Sequence, residues 1–154
     1  MGTISKDFSY KEFEVTDRPG FKFKNMISDI ETRDSVKALV DKVLQPLRDG
    51  WGKPLYINSG YRCRELNKAV RGVETSQHLK GEAADVCPYE NRNKTGKMET
   101  ILDLAQLAID LELPFDQMIL YPDFVHFSHK QNGKQRGQVL YSKNYKGEKV
   151  KICY

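Results

Sequence analysis

From Val36 onward the apolar residues fall at positions 36, 39, 40, 43, 44 and 47. That i, i+3, i+4, i+7 spacing puts them on one face of an α-helix. The pattern returns at Met98, Ile101, Leu102, Ala105 and Ile109, with Leu104, Leu107 and Leu111 widening the face. Two amphipathic helices need an apolar surface to cover, and the rest of the chain offers one only in short pieces. Leu55–Asn58, Glu82–Val86, Gln117–Leu120, Val125–Ser128 and Gln138–Ser142 read as strands of four or five residues. The third and fourth are joined by a tight turn at Tyr121-Pro122-Asp123. Helices set apart from short strands predict an α+β domain, with a short antiparallel sheet packed against helices.

Smaller signals complete the outline. Phe8–Glu14 reads as a short helix, Arg18–Asn25 as a loop, Arg62–Val70 as a helix and Val73–Gly81 as a polar loop. Pro46 should kink or close the first long helix, with Asp49-Gly50 ending it, and Pro114 should stop the second. There is no internal repeat or linker, so the 154 residues predict one domain, 1–154, for which 39% hydrophobic residues suffice to build a core.

Composition narrows the partners. No apolar run approaches a membrane span, and Met1–Asp17 lacks the apolar stretch of a secretory signal. The expectation is a protein synthesised in the cytoplasm that reaches any external target only after release, without a membrane partner and as a monomer. A net charge of +4 and a pI of about 8.9 suit acidic polymers. The basic residues are dispersed, however, so no nucleic-acid surface is indicated. Cys63, Cys87 and Cys153 form no C-x-x-C pair and read as small semi-buried thiols; one pairing among them stays open.

The chemistry concentrates in Ser76-Gln77-His78-Leu79-Lys80-Gly81-Glu82-Ala83-Ala84-Asp85. An imidazole and a carboxylate are both good zinc ligands, and Gly81 lets the chain turn between them. Asp85, flanked by Ala84 and Val86, would be a costly buried charge unless paired or bound to metal. A catalytic zinc needs a third protein ligand and an open position. Of the three histidines, His126 suits best: along Val125-His126-Phe127-Ser128, Val125 and Phe127 face one side while His126 and Ser128 face the other. His129 points the opposite way and reads as a surface residue at a strand end.

Ser76-x-His78-x-x-Gly81-x-Ala83-x-Asp85, followed by Val125-His126-Phe127-Ser128 and preceded by Ser59-Gly60-Tyr61-Arg62, resembles the zinc D-Ala-D-Ala carboxypeptidase and L-Ala-D-Glu endopeptidase family. That family shares its metal-site fold with hedgehog signalling domains. Its small single-domain members, many from phages or bacteria, look alike also over Leu44–Tyr61, Leu66–Val70, Thr75–Val86 and Pro114–Gln117, so the resemblance covers a core of about residues 8–142. It implies Zn2+ on His78, Asp85 and His126, and a general base at Asp123, three residues before the last ligand. Strict strand alternation would put Asp123 on the face opposite His126, so this role needs Pro122-Asp123 to lie in the turn; Asp116 is the rival acid. Arg62 would hold the substrate carboxylate or the developing oxyanion. Ser76 and Gln77 would support the site or face substrate. Phe124 stands where the family often has Trp. The function implied is hydrolysis of peptidoglycan stem peptides by zinc-activated water, as a carboxypeptidase or as an endopeptidase of the endolysin kind. It would act on the cell wall after release, or as a phage component. The alternative is an inactive zinc-containing peptidoglycan-binding or phage structural module.

Overall fold

The computed structural model describes residues 2–93 and 98–152. Helix α1 (Tyr10–Glu14) begins at a capping box in which Ser9 and Glu12 satisfy each other's backbone N–H groups. Helix α2 (Ile30–Leu39) starts six residues before Val36 and is capped by Asp29, whose carboxylate accepts the Thr32 N–H. The helix passes Pro46 without stopping. A π-helical turn (Val40–Leu44) widens the backbone, so that the Gln45 N–H reaches back to the Val40 carbonyl. Pro46 then falls in the first turn of α3 (Gln45–Trp51), where its missing N–H costs nothing. The end comes at Gly52, in the left-handed conformation with φ 77°. Gly50 has a different role from the expected stop: a β-carbon there would meet Leu111 at 2.9 Å and Leu107 at 3.4 Å, so it lets the following helix approach. That helix, α5, spans Met98–Asp110 and ends before Pro114, with Glu112 at φ 54°. The Met98 side chain lies outside the described residues.

Strands β1 (Leu55–Ser59), β2 (Ala83–Pro88), β3 (Gln117–Leu120), β4 (Val125–Ser128) and β5 (Gln138–Tyr141) form one sheet in the order β1-β2-β4-β3-β5. The first four are antiparallel, as expected, but β5 pairs with β3 in parallel, so the sheet is mixed. From the end of β4 the chain passes β3 to reach the edge, and β5, running antiparallel to β4, thereby lies parallel to β3. Helix α4 (Arg64–Ala69) is shorter than expected.

One sheet face carries the core. Ala84, Val86, Met118, Leu120, Val125 and Phe127 are fully buried against Val36, Leu39, Leu47, Ile101 and Leu104 of the helices. Each large side chain so buried contributes about 1.5–3 kcal/mol by removal from water. Period-two alternation then sends Asp85, Gln117, Ile119 and His126 to the other face, where the site lies.

Candidate metal centre and its cleft

His78 stands on a short 3-10 turn (Gln77–Lys80) that both ends hold tightly. The Ser76 hydroxyl accepts the His78 N–H at 3.2 Å, and Gly81 closes the turn at φ 72°. A β-carbon on Gly81 would also strike the Thr32 carbonyl at 2.8 Å, so the turn sits hard against α2. Asp85 and His126 face each other across the β2–β4 ladder. A β1 bulge between Ile57 and Ser59 shifts the register and brings Ser59 opposite Asp85.

The ligand atoms of His78, Asp85 and His126 lie within 4.8 Å of one another. His78 Nδ1 is 2.7 Å from the Gly60 carbonyl, which only accepts, so Nδ1 carries a proton. With Nδ1 so engaged, Nε2 is the ring atom turned toward Asp85 Oδ1, 3.3 Å away. A ring with that lone pair free would set two acceptors face to face, an arrangement that a shared cation relieves. His126 Nδ1 approaches the same oxygen at 2.9 Å. Burial opposes the Asp85 charge, but the two imidazoles outweigh it and hold the carboxyl well below its usual range. Two imidazoles and a carboxylate converging from one side are a donor set that fits a zinc ion, with the backbone carbonyl behind His78 fixing its tautomer.

The triad opens into a cleft of about 420 Å³ lined also by Arg62, Ser76, Gln77, Gln117, Ile119, Tyr121 and Arg136. The Arg62 guanidinium donates to Asn67 Oδ1 at 3.1 Å, while its buried Nε has no protein partner among the described residues. Its backbone N–H donates to the His78 carbonyl, tying it to the turn that carries His78. Ser76 and Gln77 are both at the cleft wall.

Asp123 is not in that wall. It lies in the turn closed by the Tyr121 N–H on the Phe124 carbonyl, ahead of β4, so strand alternation does not fix its direction. Its charge is felt by Cys87, which follows Asp85 by two residues and so shares its face of β2. Burial, with a contribution from Asp123, pushes that thiol up to about 11. Phe124 stacks on Tyr121 with ring centroids 4.5 Å apart. Asp116 is committed elsewhere: fully buried, it takes a two-pronged contact from Arg136, which outweighs burial and brings its carboxyl down to about 2.

His129 is buried, not at the surface, with its backbone N–H on the Glu82 carbonyl and its ring Nδ1 unpartnered among the described residues. It follows β4 directly, and the neighbouring β2 end covers it. Cys63 and Cys87 are free and buried; Cys153 lies outside the described residues. No helix among the described residues is long and apolar enough to cross a membrane. Sequence reasoning missed Gly60, Tyr121 and Arg136. Of these, only Gly60 had a signal, its place in Ser59-Gly60-Tyr61-Arg62.

The family model described as Peptidase M15 matches residues 6–126, a span from just before α1 to the last ligand of the triad. No curated protein matches the chain.

Proposed function

The chain belongs to the peptidase M15 family, and from that premise we propose that it hydrolyses peptide bonds in the stem peptides of bacterial peptidoglycan, with Zn2+ held by His78, Asp85 and His126. The observation that carries this reading is the convergence of the three ligand atoms within 4.8 Å at the floor of an open cleft. A divalent ion there supplies Lewis acidity toward water and toward the peptide carbonyl.

The protein's own groups do the rest. The Gly60 carbonyl accepts a hydrogen bond from His78 Nδ1–H and keeps Nε2 forward. Asp123 would take the proton of the attacking water and return it to the leaving amine, acting from its turn near Cys87 and the Asp85 face of β2 rather than from the cleft wall. Asp116 is unsuited to that task, because its ion pair occupies both carboxylate oxygens. Arg62 presents guanidinium donors to the substrate carboxylate or to the oxygen on which charge develops; burial lowers its pKa, but an arginine stays charged at neutral pH.

The direct test is muropeptide analysis. Purified protein is incubated with Gram-negative-type and Gram-positive-type peptidoglycan, with and without a chelator, and the products are weighed by mass spectrometry. Chelator-sensitive cleavage is expected, and the masses identify the bond and so separate carboxypeptidase from endopeptidase. A sample carrying one equivalent of zinc that releases nothing would defeat the peptidase reading in favour of a binding module. Arg62→Ala is expected to lower kcat/KM by about tenfold to a thousandfold, the range for losing a hydrogen bond to a charged group or an oxyanion donor. Unchanged steady-state kinetics would remove Arg62 from the machinery.

A further inference from the structure

The cleft holds a second guanidinium that the triad does not use. β1, followed by Arg62, is one edge of the sheet; β5, preceded by Arg136, is the other; Asp85 and His126 stand on β2 and β4 between them. Arg136 lines the cleft of the triad and also a groove of about 740 Å³ that continues past Gln77 to Lys80 and Lys130. It lies beyond residue 126, where the family match ends.

Arg136 is held in place. Asp116 accepts its backbone N–H at 2.8 Å, its Nε–H on both oxygens at 3.1 and 3.2 Å, and Nη2 at 2.7 Å. Gln77, next to the metal ligand His78, donates to the same carboxylate at 3.2 Å. A surface arginine pair normally counts for little, but here the acid is fully buried and grips backbone and side chain together. The fork is thus fixed along one edge, while Nη1 has no protein partner among the described residues and the side chain is 48% exposed. Lys130 Nζ stands 3.8 Å from the same acid, so two cations share one anion and positive charge is left over.

We infer that Arg136 is an anion subsite of the cleft, receiving a free carboxylate of the substrate peptide on the side of the triad opposite Arg62. The inference rests on the peptidase reading and deepens it by assigning the residue that reads an acidic side chain close to the cut. From β4 to β5 is two strand spacings, about 10 Å, which an extended peptide covers in about three residues. The arginine reaches part of that way, so the carboxylate sits within about two residues of the scissile bond.

The test uses the zinc-loaded protein and two stem peptides that differ only in whether the acidic residue's free carboxylate is amidated. The native protein should cut the acidic peptide with kcat/KM about tenfold to a hundredfold higher, the span of one hydrogen bond between charged groups. Arg136→Gln should abolish that preference by slowing the acidic peptide more than the amidated one, until the two rates agree within about twofold. Since this change strands the buried Asp116, the double variant Arg136→Gln/Asp116→Asn removes both charges and should show the same loss of preference. Equal rates on both peptides in the native protein, or proportional losses on both in the variants, would overturn the subsite. If the native protein cuts neither peptide, it is the substrate reading that fails, and calorimetric titration of the same pair decides on Arg136. Tighter binding of the acidic form that vanishes in Arg136→Gln supports the subsite, and equal affinities refute it.

Discussion

Replacing His126 by alanine is expected to take the protein from one bound zinc to none, and its turnover to background. His78→Ala should do the same. A three-ligand site that loses an imidazole keeps only two donors, too few for a stable tetrahedral zinc with an open position. Lewis-acid stabilisation amounts to several kcal/mol, and each 1.36 kcal/mol is a factor of ten, so the loss of turnover should be roughly a thousandfold or more. Two measurements are needed: metal content after dialysis, and cleavage rate. The variant should still fold, because the His126 side chain points away from the core that Val125 and Phe127 fill. A His126→Ala protein that kept a full equivalent of zinc at native affinity would show that the ligand set is wrong.

Asp123→Asn should separate the metal from the chemistry. The amide preserves shape but cannot accept a proton at neutral pH, so zinc content should stay at one equivalent while kcat falls by roughly a hundredfold to ten-thousandfold. Native turnover in Asp123→Asn would transfer the base role to another group. Asp116 would be a poor heir, because its carboxylate is buried and fully engaged by Arg136.

The expectation for Asp123 also shows how far sequence reasoning carries. Period-two alternation located the faces of β2, β3 and β4 because each of these strands buries one side, and a residue shift would have put His126 in the core. The same rule applied one turn too far would have set Asp123 on the wrong face; the strand begins at Val125, and the turn frees the acid from the alternation. Pro46 was legible as a disturbance but not as a π-turn, since the helix could equally have stopped, and packing against α5 decided for continuation. The parallel edge strand could not be read locally either, because its direction depends on a connection from β4 that passes β3. Arg136, in a Gly-rich basic loop, looks like any solvated cation until the fold brings Asp116 beneath it from 20 residues away.

Gly60 has a consequence of another kind. Its carbonyl fixes the tautomer of His78, while a β-carbon on it would lie 2.7 Å from the Phe13 α-carbon and ring. The Tyr61 N–H donates to the Phe13 carbonyl, and Asn25 holds Glu14, Tyr61 and Cys63 together through its amide. The first helix and the loop after it thus form the far jaw of a vice whose near jaw is the metal ligand. For recombination between related chains, this defines forbidden crossovers. A junction anywhere between residues 14 and 60 would pair the phenylalanine of one parent with the glycine of another, and the misfit would surface as weakened metal affinity at His78, 18 residues or more from the splice.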